Sequence, residues 1–147
     1  MENKVFDRLT AEAISLGSFK SSVISTEKIE ADKSFRAMCE ANSCGVYGKC
    51  YMCPPDVGDI DVLIGEIGNY DYALVYQTVT ALEDSFDFEG MMDAGARHND
   101  LARTINADLA GIPFADRMHL GAGGTVKNNG KSQFHSVSSS SKLIWAG

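Results

Sequence analysis

Outside a window of fifteen residues this 147-residue chain has no cysteine at all. The spread of cysteines that staples a small secreted fold is therefore missing, and so is the scatter expected of thiols used only as core residues. A concentrated basic patch is missing too. The formal charge is −7 and the sequence pI near 4.8, which argues against a nucleic-acid surface, since that needs a concentrated basic patch. No apolar run approaches the roughly 20 residues of a membrane span; the longest extends from Tyr72 to Leu82. The opening Met1-Glu2-Asn3-Lys4 lacks the basic-then-apolar order of a secretory signal. The expectation is a cytoplasmic protein with no nucleic-acid and no membrane partner.

A hydrophobic content of 44% supplies a core without disulfides. Val5, Phe6, Leu9, Ala13 and Ile14 share one helical face, and Gly17 ends that helix. Residues 21–29 are β-branched and partly alternating, which predicts a strand; Asp32 then caps a short helix through about Glu40. Asp59 caps a helix over residues 60–67, whose stripe is Ile60, Leu63, Ile64 and Ile67. Residues 72–80 read as the clearest strand, apolar on both faces at its start and so central to a sheet. A long helix follows over residues 88–109, with Gly90 and Gly95 as weak points, and a last strand spans residues 114–120. The predicted class is α+β, a small mixed sheet packed with helices and a cysteine-rich metal-binding loop; an α/β sandwich is the alternative.

The predicted domain covers residues 1–124, which hold all 20 acids against 10 bases, a formal charge of −10. Residues 125–147 hold three lysines and no acid, and the serine run from Ser136 to Ser141 has neither helical nor strand period. They are expected to form a poorly ordered tail.

The four cysteines, Cys39, Cys44, Cys50 and Cys53, are spaced Cys-x4-Cys-x5-Cys-x2-Cys-Pro-Pro. In a reducing compartment thiols this close are metal ligands or redox groups before they are disulfides. A loop of this length can turn its thiolates inward around one centre, and such soft donors favour iron–sulfur clusters and zinc. Gly45 and Gly48 accept the positive φ that sharp reversals need. Only Cys50-x2-Cys53 has the spacing of a zinc knuckle, whereas the Cys-Pro close is like that of bacterial ferredoxin runs. An iron–sulfur cluster, of [4Fe-4S] type, is the leading cofactor and zinc the alternative; thiols without metal are the remaining reading.

The run from Arg36 to Pro55, with its Cys-Gly-x-Tyr-Gly and Cys-Pro-Pro elements, resembles the predicted cysteine-rich metal-binding family known as domain of unknown function 2284, common in anaerobic bacteria and archaea. The resemblance covers most of residues 1–124 and implies metal binding without a defined reaction. It carries over to Cys39, Cys44 and Cys53, while Cys50 stands where the family tolerates other residues. Family members continue past a glycine-rich turn like Gly121-Ala122-Gly123-Gly124 into a second cysteine set and a Pro-Cys-Arg sequence, which this chain lacks. One explanation is a truncated or frameshifted chain: codons for Ser136 to Ser140, read one base later, can spell Pro-Cys-Arg-Arg-Pro. The gene sequence decides it.

Other residues carry weaker signals. His98 and His119 are candidate further ligands or proton carriers, against ordinary packing or surface roles. Glu83, Asp84, Asp87 and Glu89 suit a helix cap better than a cation site. Gly121-Ala122-Gly123-Gly124 reads as a turn rather than a phosphate loop. Tyr47 and Tyr51 either shield a cluster or pack, and Arg36 either offsets thiolate charge or is solvated. Three functions follow: a cluster-binding module for electron transfer or for support of a redox or metabolic partner; an iron–sulfur enzyme with an open iron site; or a zinc-stabilised interaction module. No nucleophile arrangement decides whether the chain is an enzyme.

Overall fold

The computed structural model describes residues 2–49, 53–109, 111–112, 116–120 and 142–146. The element order is α1 (Glu2–Leu16), β1 (Lys20–Ser25), a 3-10 turn (Thr26–Lys28), α2 (Phe35–Glu40), α3 (Ile60–Ile67), β2 (Tyr72–Gln77), α4 (Phe88–Leu109), β3 (Asp116–Leu120) and β4 (Lys142–Ala146). The strands form one mixed sheet in the order β1-β2-β4-β3. β1 runs antiparallel to β2, with Lys20 opposite Gln77 and Ser25 opposite Tyr72. β2 and β3 both run parallel to β4. The fold is a small α+β arrangement, with β2 in the interior of the sheet as its two apolar faces predict. Among the described residues no helix is long and apolar enough to cross a membrane.

Alternation along β2 decides where the core lies. Tyr72, Leu74 and Tyr76 share one face, and the core there joins Leu74 and Tyr76 to Leu9 and Ala13 of α1 and to Leu101, Ala102, Ile105 and Leu109 of α4. Leu9 and Leu74 are fully buried. Phe6 meets the Tyr72 ring at 4.7 Å between centroids. α1 and the C-terminal half of α4 therefore cover one face of the sheet. The apolar stripe of α1 forces this, because its burial removes the area that contributes most to folding.

Three boundaries differ from the sequence reading. β1 ends at Ser25, because Thr26 turns to give its N–H to the Asp71 carbonyl and its hydroxyl to Tyr70 O at 2.5 Å. α2 begins at Phe35 with Ser34 as its N-cap. Asp32 is not that cap: its carboxylate accepts the Ser34 N–H at 2.9 Å, one turn earlier. β2 ends at Gln77 rather than Thr80. Of residues 125–147, only Lys142–Ala146 are described, and they form β4; the serine run and Gly121 to Gly124 lie outside the described residues.

Candidate metal centre

The cysteine segment lies within an excursion that leaves the sheet at Ser25 and returns at Tyr72, two residues paired across β1 and β2. Two ties narrow its base. Arg36 Nη1 donates to the Gly58 carbonyl at 2.9 Å, joining residues 22 apart, and Lys33 Nζ lies 3.6 Å from an Asp61 carboxylate oxygen. All four cysteines fall between Arg36 and Gly58. The guanidinium thus has a structural task at the mouth of the loop, which neither sequence reading of Arg36 had named.

Within the loop, local hydrogen bonds set the turns. Cys39 sits in the last turn of α2, and its carbonyl accepts the Asn42 N–H at 2.9 Å. Asn42 adopts φ 56°, and its side-chain oxygen accepts the Tyr47 N–H at 3.0 Å, bridging the stretch that carries Cys44. Asparagine tolerates this left-handed conformation better than other non-glycine residues. Gly45 and Gly48, at φ 78° and 72°, make the expected reversals. The Gly48 N–H then donates to Pro54 O at 2.8 Å, so the chain on either side of residues 49–53 is drawn together. The Pro54-Pro55 bond is cis and Pro54 is buried. Downstream, the Cys53 carbonyl accepts Val57 N–H at 3.1 Å. Asp59 caps α3 as predicted, its carboxylate accepting the N–H groups of Asp61 and Val62 at 2.8 and 3.3 Å.

Cys39 and Cys53 are half-buried, Cys44 is exposed, and none of the three is in a disulfide. Cys50 lies outside the described residues, as does Tyr51. The donor chemistry suits a thiophilic metal. However, among the described residues no three His, Cys, Asp or Glu side chains stand together as a metal-binding group. The loop brings Cys39, Cys44 and Cys53 into one tied segment without gathering them as a three-donor set.

The remaining candidates separate from the loop. His98 Nδ1 is 2.8 Å from Thr78 Oγ1, and its ring stacks on Tyr76 at 5.7 Å. His119 lies in β3. The acids before α4 do act as a cap: Asp87 accepts the Gly90 N–H at 2.9 Å and the Glu83 N–H at 3.2 Å, and Asp84 accepts Phe86 N–H at 2.7 Å. A Cβ at Gly90 would collide with the Asp87 carboxylate, so this glycine belongs to the cap rather than weakening the helix. Hydrogen bonds from the Ser34 hydroxyl and N–H hold the Asp32 carboxyl below its usual range.

Comparison with protein families gives a match over residues 22–125 to predicted metal-binding protein, domain of unknown function 2284. The chain belongs to this family. The matched stretch contains every cysteine and ends at the change of composition after Gly123-Gly124. Neither the curated proteins nor the solved structures gave a match. The family is described as one of predicted metal-binding proteins, and the matched residues include the cysteine-bearing segment.

Proposed function

We propose that the chain holds an iron–sulfur cluster of [4Fe-4S] type through Cys39, Cys44, Cys50 and Cys53, and serves electron transfer or a partner enzyme in the cytoplasm. The observation that carries this reading is the tied excursion, in which Arg36 and Gly58 close a loop containing all four thiols. Such a loop keeps the donors at high local concentration, and their gathering into one set is the task left to the metal. Thiolates complete the argument: they are soft donors whose charge is offset by iron, and a bound cluster would supply one-electron chemistry. Reversals at Gly45 and Gly48 turn the chain sharply between Cys44 and Cys50, as a loop wrapped around one centre requires.

Single Cys-to-Ser variants with a visible spectrum, on protein purified without oxygen, test the assignment. Loss of the sulfur-to-iron absorption in all four variants supports a four-cysteine cluster. Survival of the band in Cys50→Ser alone would instead favour three ligands and an open iron position, the arrangement an enzyme would use. A colourless protein that binds zinc and unfolds on chelation would contradict the cluster and leave the interaction-module reading.

A further inference from the structure

A cavity of about 390 Å³ opens beyond the C-terminal end of β2, bounded by Thr78 to Thr80, the α1–β1 turn at Leu16 and Gly17, and one flank of α4. β2, β3 and β4 are mutually parallel, so their C-terminal ends lie at the same end of the sheet. Sheets of parallel strands bind ligands at that end, where the chain leaves the ladder and its polar groups become free for other partners. The cavity also stands at the Lys20–Gln77 end of the β1–β2 pair, whereas the cysteine excursion departs and returns at the Ser25–Tyr72 end.

Its polar lining comprises Thr78, Thr80, Arg97, His98, Asp100 and Thr104. His98 is held in orientation from two sides, by Thr78 Oγ1 at 2.8 Å from Nδ1 and by the stacked Tyr76 ring. With Nδ1 engaged, the ring keeps Nε2 for another partner. The charges are unequal in what they have available. Asp100 is ion-paired with Arg103. Among the described residues Arg97 makes one hydrogen bond, from Nε to the Asp93 backbone carbonyl at 3.5 Å, and no ion pair. The Thr78 and Thr104 hydroxyls are engaged with His98 and the Asp100 carbonyl. A guanidinium with no carboxylate partner among the described residues, in a cavity that the Thr80 hydroxyl also lines, is therefore the unspent charge of the lining, in a chain whose formal charge is −7. Its planar fork matches an oxyanion.

We propose that this cavity binds a small oxyanion, a carboxylate or a phosphate monoester, with Arg97 and Thr80 as donors and His98 as a fixed third contact. Arg103 has a positioning role, since its pairing with Asp100 keeps a bare carboxylate from facing the bound anion. The inference is independent of the metal reading.

The test is amide-resonance titration of the full-length protein with acetate, inorganic phosphate and methyl phosphate in turn. Expected is a saturable response in the millimolar range, confined to residues 78–80 and 94–104. Acetate response without phosphate response assigns a carboxylate site, and the converse a phosphate site. Arg97→Ala should weaken binding about tenfold or more, the scale of one lost charge-assisted contact. Arg97→Lys, which keeps the charge and loses the fork, should fall between. Arg103→Ala should also weaken binding, although Arg103 does not line the cavity. No saturable response to any of the three anions would overturn the proposal. So would a response unchanged in both Arg97→Lys and Arg97→Ala, or one centred on residues 39–53.

Discussion

If the tie between Arg36 and Gly58 preorganises the cysteine loop, Arg36→Ala has a calculable effect. The bond closes 22 residues. Without it, the next hydrogen-bonded closure outward recorded among the described residues is that of Thr26 with Tyr70, which spans 44 residues. Doubling a loop raises its closure entropy by about 0.6 kcal/mol, which a metal must then supply, so affinity should fall about threefold. The hydrogen bond itself contributes about 1 kcal/mol to folding. Because this contribution is the same with and without metal, its loss lowers stability and adds nothing to the roughly threefold loss of affinity that the closure entropy produces. The Lys33–Asp61 pair, at 3.6 Å with side chains 70% and 71% exposed, restrains the base only weakly, and adding Lys33→Ala should bring out the full effect. Cobalt(II) titration against a competing chelator, followed by thiolate charge-transfer absorption, reads the affinity directly. An unchanged affinity in the double variant would refute the preorganised loop. A loss of about a hundredfold, far above the closure entropy, would show instead that Arg36 acts on thiolate charge.

Three further outcomes follow from the fold. Leu74→Ala, at a fully buried position on β2, should destabilise the protein by about 2–5 kcal/mol in urea unfolding; a change within experimental error would contradict the core assigned here. Asp59→Ala removes the acceptor of two N–H groups at the start of α3 and should cost about 1 kcal/mol, which thermal melts can detect. Burial pushes the Tyr76 hydroxyl up to about 12 from its ordinary 10. The unfolded chain then loses this proton first, so the associated stability is complete below pH 10 and is lost as the pH rises to about 12. Alkaline unfolding of wild type and Tyr76→Phe should differ in that window, and identical profiles would show that Tyr76 titrates normally.

Much of the fold was legible in local pattern. The stripe of Leu9 and Ala13, the two-faced strand from Tyr72 and the Asp59 cap are each decided within one element, where periodicity and capping chemistry act. Boundaries were lost where a distant partner decided them. β1 stops early because Thr26 finds Tyr70, a residue 44 positions away, and no local signal marks that contact. Asp32 was misread as a helix cap because an Asx turn and an N-cap use the same side chain and nearly the same spacing. For the centre, clustering and glycine content singled out the segment. The ties made by Lys33 and Arg36 are long-range and left no trace in spacing. Asn42 was missed although asparagine in a glycine-rich loop is a recognisable signal for positive φ.

We propose above that the tied cysteine loop binds an iron–sulfur cluster. Iron and acid-labile sulfide content of the full chain, purified without oxygen, test it most directly. Iron and sulfide are expected in matching amounts, falling together when Cys39, Cys44 or Cys53 is replaced by serine; zinc without sulfide, or no bound metal at all, would contradict the cluster.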